Sequence, residues 1–130
     1  MDTRNINVIT LAYLGDAIYE VYIRKYLIEK GIALVEDLQK EAVKYVSAKG
    51  QSLILNKLEK INFFEEEEIN VIRRGRNYKR GNHPKNTDII TYKNSTGFEA
   101  LIGYLYLEGK IDRLDEIINK ILEVKNEEIN

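Results

Sequence analysis

Residues 11–23 read Leu-Ala-Tyr-Leu-Gly-Asp-Ala-Ile-Tyr-Glu-Val-Tyr-Ile, with apolar or aromatic side chains on every side of a helix. Only Gly15, Asp16 and Glu20 interrupt them. A helix that is hydrophobic all round is a buried helix. A carboxylate inside such a helix is costly unless it is partnered. Asp16 and Glu20 stand four residues apart and so share one face. The stretch therefore predicts a buried helix that keeps acids because the protein uses them.

A second stretch repeats the anomaly. Residues 97–107, Gly-Phe-Glu-Ala-Leu-Ile-Gly-Tyr-Leu-Tyr-Leu, are again apolar around the helix, and Glu99 is the only charge between Lys93 and Glu108. Gly15 adjoins Asp16, and Gly103 lies one turn after Glu99. Small residues permit close approach, so the two helices are expected to cross there and bring Asp16 and Glu99 together. Two such carboxylates repel, and one is pushed towards its protonated form, unless a cation lies between them. Oxygen ligands without histidine or cysteine point to Mg²⁺, with Mn²⁺ as a substitute. Such ions serve phosphoryl chemistry. On this reading Glu20 supports the site or pairs with Arg24.

The rest of the chain reads as all-helical, with about six helices. It has 130 residues and one proline, the length of one domain spanning 1–130 with an ordered core of about 7–124. Helices are expected over about 7–30, 36–46, 47–58, a segment from the acid run to about 78, 95–107 and 111–124, with Ser47 as an N-cap and Gly31 and Gly109 as stops. The turn formers Gly81, Asn82, Pro84, Asn86 and Asp88 mark residues 79–95 as one long loop. The tail from 125 to 130 is expected to fray. The four acids Glu65 to Glu68 read as a solvated helix start, where the macrodipole favours them.

Charge is balanced overall, at −1, but not along the chain. Arg73, Arg74, Arg76, Lys79, Arg80 and Lys85 follow the acid run with no acid among them. This basic patch, with Tyr92 and Lys93 beyond it, suits an RNA backbone, which is read through phosphates, 2′-hydroxyls and shape. His83, the only histidine, sits in this segment and reads as structural or RNA-facing. There is no cysteine, which fits a reducing cytoplasm, and no uncharged run of membrane-spanning length. The N-terminus lacks a secretory pattern, so a cytoplasmic protein without membrane contact is expected.

The residues quoted above carry a resemblance. Leu14-Gly15-Asp16-Ala17 and Phe98-Glu99-Ala100-Leu101-Ile102-Gly103 resemble the two signature helices of the ribonuclease III catalytic domain. Taken with Arg73-Arg74-Gly75-Arg76-Asn77, Pro84-Lys85-Asn86-Thr87-Asp88 and Ser95-Thr96-Gly97, the pattern is similar to the Mini-ribonuclease III branch along nearly the whole chain. The resemblance implies a helical homodimeric endonuclease that cuts double-stranded or structured RNA with Mg²⁺. For that branch it implies maturation of large-subunit (23S) ribosomal RNA precursor ends, with a ribosomal protein as a possible assistant. It also implies that Asp16 and Glu99 are the catalytic metal ligands, with Glu20 and Thr96 supporting. Full-length members of the family carry further acids where this chain has Ala12 and Thr96, and a separate double-stranded-RNA-binding domain for which no residues remain here. The alternative is a non-catalytic RNA-binding or ribosome-associated protein with the same fold, for which Ala12 and Thr96 speak and the retained Asp16 and Glu99 do not.

Overall fold

A computed structural model describes residues 2–79 and 88–129. Among the described residues the chain forms a 3-10 turn at Thr3–Asn5 and six helices: α1 Val8–Glu29, α2 Val35–Val46, α3 Ala48–Lys60, α4 Glu66–Arg76, α5 Ile89–Leu107 and α6 Ile111–Ile129. The helix starts follow local chemistry. Asn7 accepts from the Ile9 amide at 2.8 Å to begin α1, and the Ser47 hydroxyl accepts from the Gly50 amide at 3.1 Å to begin α3. Gly31, at φ +97°, lies just past the end of α1 in the left-handed region that favours glycine.

The centre of the fold is α5. From Asn94 to Leu105 every residue except Glu99 is buried. Helices α1, α3 and α4 pack around it. Two of these contacts are made backbone to backbone. A Cβ added to Gly15 would lie 1.7 Å from the Glu99 carbonyl oxygen, and one added to Gly103 would lie 2.0 Å from the Leu11 carbonyl oxygen. So α1 and α5 cross at the two glycines singled out in the sequence. In the same way, a Cβ on Gly75 would lie 2.7 Å from the Gly97 Cα, which seats α4 on α5 ahead of the Gly103 crossing. Around these crossings Leu11, Ile23, Ile54, Leu55, Leu58, Ile72, Leu101, Ile102 and Leu105 fill the core. Tyr19 meets Phe98 edge to face with ring centroids 4.8 Å apart.

Three expectations change. Helix α5 begins at Ile89, not at 95, because Asp88 caps it by accepting from the Thr91 amide at 2.9 Å and from the Thr91 hydroxyl at 2.8 Å. Polar residues 91–96 hid this turn from a reading based on apolar spacing. Helix α6 continues to Ile129 and does not fray from 125. The Asn126 side chain accepts from the Tyr26 hydroxyl at 3.4 Å, and the Lys125 ammonium lies 5.6 Å from the Tyr45 ring centroid, so the last turns are held against α1 and α2. Finally, the acid run is not uniformly solvated. Glu68 is 3% exposed and receives two hydrogen bonds from Arg113, each 2.8 Å. Its Oε1 also accepts from the Glu65 amide at 2.9 Å, closing a capping box. Arg113 donates further to the Phe63 carbonyl at 2.7 Å, and these partners hold its guanidinium in the charged form.

The crossing at Gly15 and Gly103 leaves no room for a methyl group. Gly103→Ala adds about 1 kcal/mol of helix propensity, yet we expect net destabilisation by about 2 kcal/mol or more, because the new Cβ meets backbone that cannot rotate away. A shift of the urea midpoint to lower concentration with unchanged m-value checks this.

Candidate active site

Helices α1 and α5 present one acid each beside their crossing. Glu99 is on the half-buried side of α5, the single opening in its buried run. Asp16 follows Gly15, whose backbone touches the Glu99 carbonyl. The expected burial of Asp16 is incorrect: it is exposed. Helix α1 is apolar all round yet buries only the side that faces α5. The other side carries Tyr13 (83% exposed), Val21 (63%) and Ile28 (58%) into solvent, and Asp16 lies at its edge. The acid thus stands at the boundary between the crossing and an uncovered apolar face.

Glu20 is ion-paired within α1. Its carboxylate accepts from Arg24 at 2.6 and 2.9 Å, the i,i+4 ion pair that its spacing allows. Thr96 is buried, and its hydroxyl donates back to the Tyr92 carbonyl at 3.1 Å, a bond within its own helix. Among the described residues no group of three His, Cys, Asp or Glu side chains is placed to hold a metal ion. Asp16 and Glu99 are the two acids that flank the crossing. A pair of carboxylates suits a hard cation that keeps several waters, as Mg²⁺ does.

Gln51 is the residue at this site that the sequence reading missed. It is 1% exposed on α3, and its Nε2 donates to the Val46 carbonyl at 3.1 Å and to Glu99 Oε2 at 3.3 Å. The signal was present: positions 51, 54, 55 and 58 share the inner face of α3, where Ile54, Leu55 and Leu58 are buried. A glutamine on such a face needs partners.

The basic segment divides into two kinds of side chain. Arg73, Arg74, Lys79 and Lys93 are exposed, although Arg73 donates to Asn70 at 3.2 Å and Arg74 to the Ile6 carbonyl at 3.1 Å. Arg76 is internal. It donates to Asn94 Oδ1 at 2.7 Å and to both Glu59 oxygens at 3.0 and 3.1 Å, while Asn94 in turn donates to the Ser52 hydroxyl at 3.0 Å. This network ties α4, α3 and α5 together. Tyr92 and Lys93 belong to the first turns of α5 and not to a loop. Arg80, Lys85 and His83 lie outside the described residues.

The sequence matches the Ribonuclease III domain family over residues 9–110. It is 47% identical over 123 residues to a Brevibacillus brevis protein named Mini-ribonuclease 3, with 95% of this chain and 90% of that protein aligned. It is 49% identical over 110 residues to the Mini-ribonuclease 3 of Symbiobacterium thermophilum, with 85% and 83% aligned. A crystal structure of a Fusobacterium nucleatum protein superposes with a TM-score of 0.82 at 37% sequence identity, covering 95% of this chain and 98% of that one.

The two kinds of arginine are separable by stability. Arg76→Ala strips Asn94 of its partner in a buried setting and is expected to cost about 1–3 kcal/mol, read as a lower melting temperature. Arg73→Ala, at an exposed position, is expected to stay within about 0.5 kcal/mol of the parent.

Proposed function

The chain belongs to the ribonuclease III family and is an endoribonuclease of that type, and on that premise we propose that it cuts double-stranded or structured RNA with Mg²⁺ held by Asp16 and Glu99. The observation that supports this site is the crossing of α1 and α5 on Gly15 and Gly103: Asp16 follows Gly15, and the Gly15 backbone meets the Glu99 backbone carbonyl. When bound, the ion supplies an activated water and neutralises charge on the scissile phosphate. The protein's own contribution is to orient and to grip. Glu99 is held by Gln51, and Asp16 is set by the first turns of α1 after the Asn7 cap. Ala12 and Thr96 offer no carboxylate, so Asp16 and Glu99 are the protein ligands that would hold the ion, which would keep several of its waters, as Mg²⁺ tolerates.

The exposed cations Arg73, Arg74, Lys79 and Lys93, with Arg80 and Lys85, hold the RNA backbone. Arg76 serves the same surface indirectly, by fixing the end of α4 against Asn94. The substrate we propose is a precursor of large-subunit (23S) ribosomal RNA, in the cytoplasm, with a ribosomal protein as a candidate assistant. Support comes from the resemblance of the signature stretches to the Mini-ribonuclease III branch. Among the described residues no helix is long and apolar enough to cross a membrane.

We propose further that the enzyme is a homodimer. Tyr13, Val21 and Ile28 on α1 and Val35 and Val43 on α2 are all more than half exposed. Between the two helices lies a groove of about 500 Å³ lined by Ile28, Val35, Leu38, Ala42, Val43 and Val46, with Gln39 and the Glu20–Arg24 ion pair also on its wall. Exposed apolar patches of this kind mark interaction surfaces, and the resemblance implies a second copy as the occupant.

Asp16→Asn should reduce cleavage of double-stranded RNA by at least about a thousandfold, an effect of about 4 kcal/mol on the barrier, while the circular dichroism spectrum and RNA binding without metal stay as in the parent. Full activity in that variant overturns the metal reading. Val21→Asp should convert the dimer to a monomer in sedimentation velocity, and an unchanged dimer there overturns the assignment of this face.

A further inference from the structure

The geometry points to Gln51 as a positioning residue that fixes the Glu99 carboxylate for its cation. The inference rests on the reading of Glu99 as a metal ligand. Gln51 is buried at 1% exposure, and both neighbours of its Nε2 are acceptors: the Val46 carbonyl at 3.1 Å and Glu99 Oε2 at 3.3 Å. Only the amide nitrogen can satisfy both, so the orientation of the side chain is determined by its partners. The same orientation leaves Gln51 Oε1 buried without a hydrogen-bond partner among the described residues. A buried unsatisfied oxygen opposes folding. Leucine or methionine on the inner face of α3, beside Ile54 and Leu55, would avoid that cost. The glutamine is therefore not accounted for by core packing.

Its chemistry suits a metal ligand's neighbour. A neutral amide donor orients a carboxylate without neutralising it, whereas a lysine or arginine in this place would compete with the cation for the same charge. Carboxylates that bind metals are commonly held by such hydrogen bonds, and loss of the holding partner costs about 10–100-fold in metal affinity or activity. Gln51 also joins the two ends of the problem mechanically. Its second bond, to Val46, anchors the amide on the last turn of α2, so that Glu99 is referenced to the α2–α3 corner as well as to α5.

The test uses the full chain without RNA and titrates Mn²⁺ alone by calorimetry into wild type, Glu99→Gln and Gln51→Met. Methionine keeps the length and removes the donor. We expect Mn²⁺ to bind wild type, binding to be lost in Glu99→Gln, and affinity to fall at least about tenfold in Gln51→Met with the helical spectrum retained. The Mg²⁺ concentration for half-maximal cleavage should rise by a similar factor, with the KM for RNA little changed. Gln51→Met with wild-type Mn²⁺ affinity overturns this inference alone, because a glutamine that only caps α2 would lower stability and leave the ion unaffected. Wild type that binds no Mn²⁺ overturns the underlying metal reading and this inference with it. Should Gln51→Met not fold, the wild-type protein still decides: Mn²⁺ should broaden the Gln51 side-chain amide resonance in a nitrogen–proton correlation spectrum, and an amide peak that keeps its intensity overturns the assignment.

Discussion

Backbone contact between α1 and α5 is the constraint on which this structure depends. Where side chains separate helices, a range of angles and registers can be filled by repacking. At Gly15 and Gly103 there is nothing to repack: carbonyl oxygens of one helix lie within reach of the Cα atoms of the other. The register between Leu11 and Gly103, and between Gly15 and Glu99, is therefore fixed by hard contact. The second glycine contact, Gly75 on Gly97, fixes α4 on the same central helix. With both in place α5 becomes the frame against which the acids, the basic segment and the amide of Gln51 are all measured.

Charges in this protein fall into two groups according to what surrounds them. Glu68 with Arg113, and Glu59 with Arg76, are paired across elements and lock helices together. Such pairs are poor sources of net stability but severe to break, because the survivor is left without its partner. Asp16 and Glu99 flank the α1–α5 crossing instead. One is exposed, and the other takes a hydrogen bond from a neutral amide.

The sequence was legible where the physics is local or where glycine marks a contact. Asn7 and Ser47 announced their helices by capping chemistry, and Gly15 and Gly103 announced the crossing. It misled where an apolar face is left exposed by the rest of the described chain. The apolar outer face of α1 reads as interior, and so Asp16 was placed inside, because periodicity cannot say whether the partner of a face lies in the same molecule. It was silent where polar residues satisfy one another. The first turn of α5 is held by Asp88 and Thr91, and its interior by Asn94 with Ser52 and Arg76. The burial of Glu68 depends on Arg113, 45 residues away, a distance that no local pattern spans. Gln51 shows the intermediate case, visible on the inner face of α3 once that face is drawn, but with partners in Val46 and Glu99 that only the fold supplies.

The tie between Arg76 and Asn94 has a consequence for how the molecule measures length. Asn94 and Glu99 are five residues apart on one helix, which sets an axial separation of about 7.5 Å between them. Because Arg76 ends α4 and is fastened at Asn94, the cationic end of α4 is graduated along α5 like a mark on a ruler whose zero is Glu99. Helices are stiff in compression and bending over so short a span. The interval between the cationic end of α4 and Glu99 is thus a property of rigid backbone, as much a dimension of the protein as the width of its core.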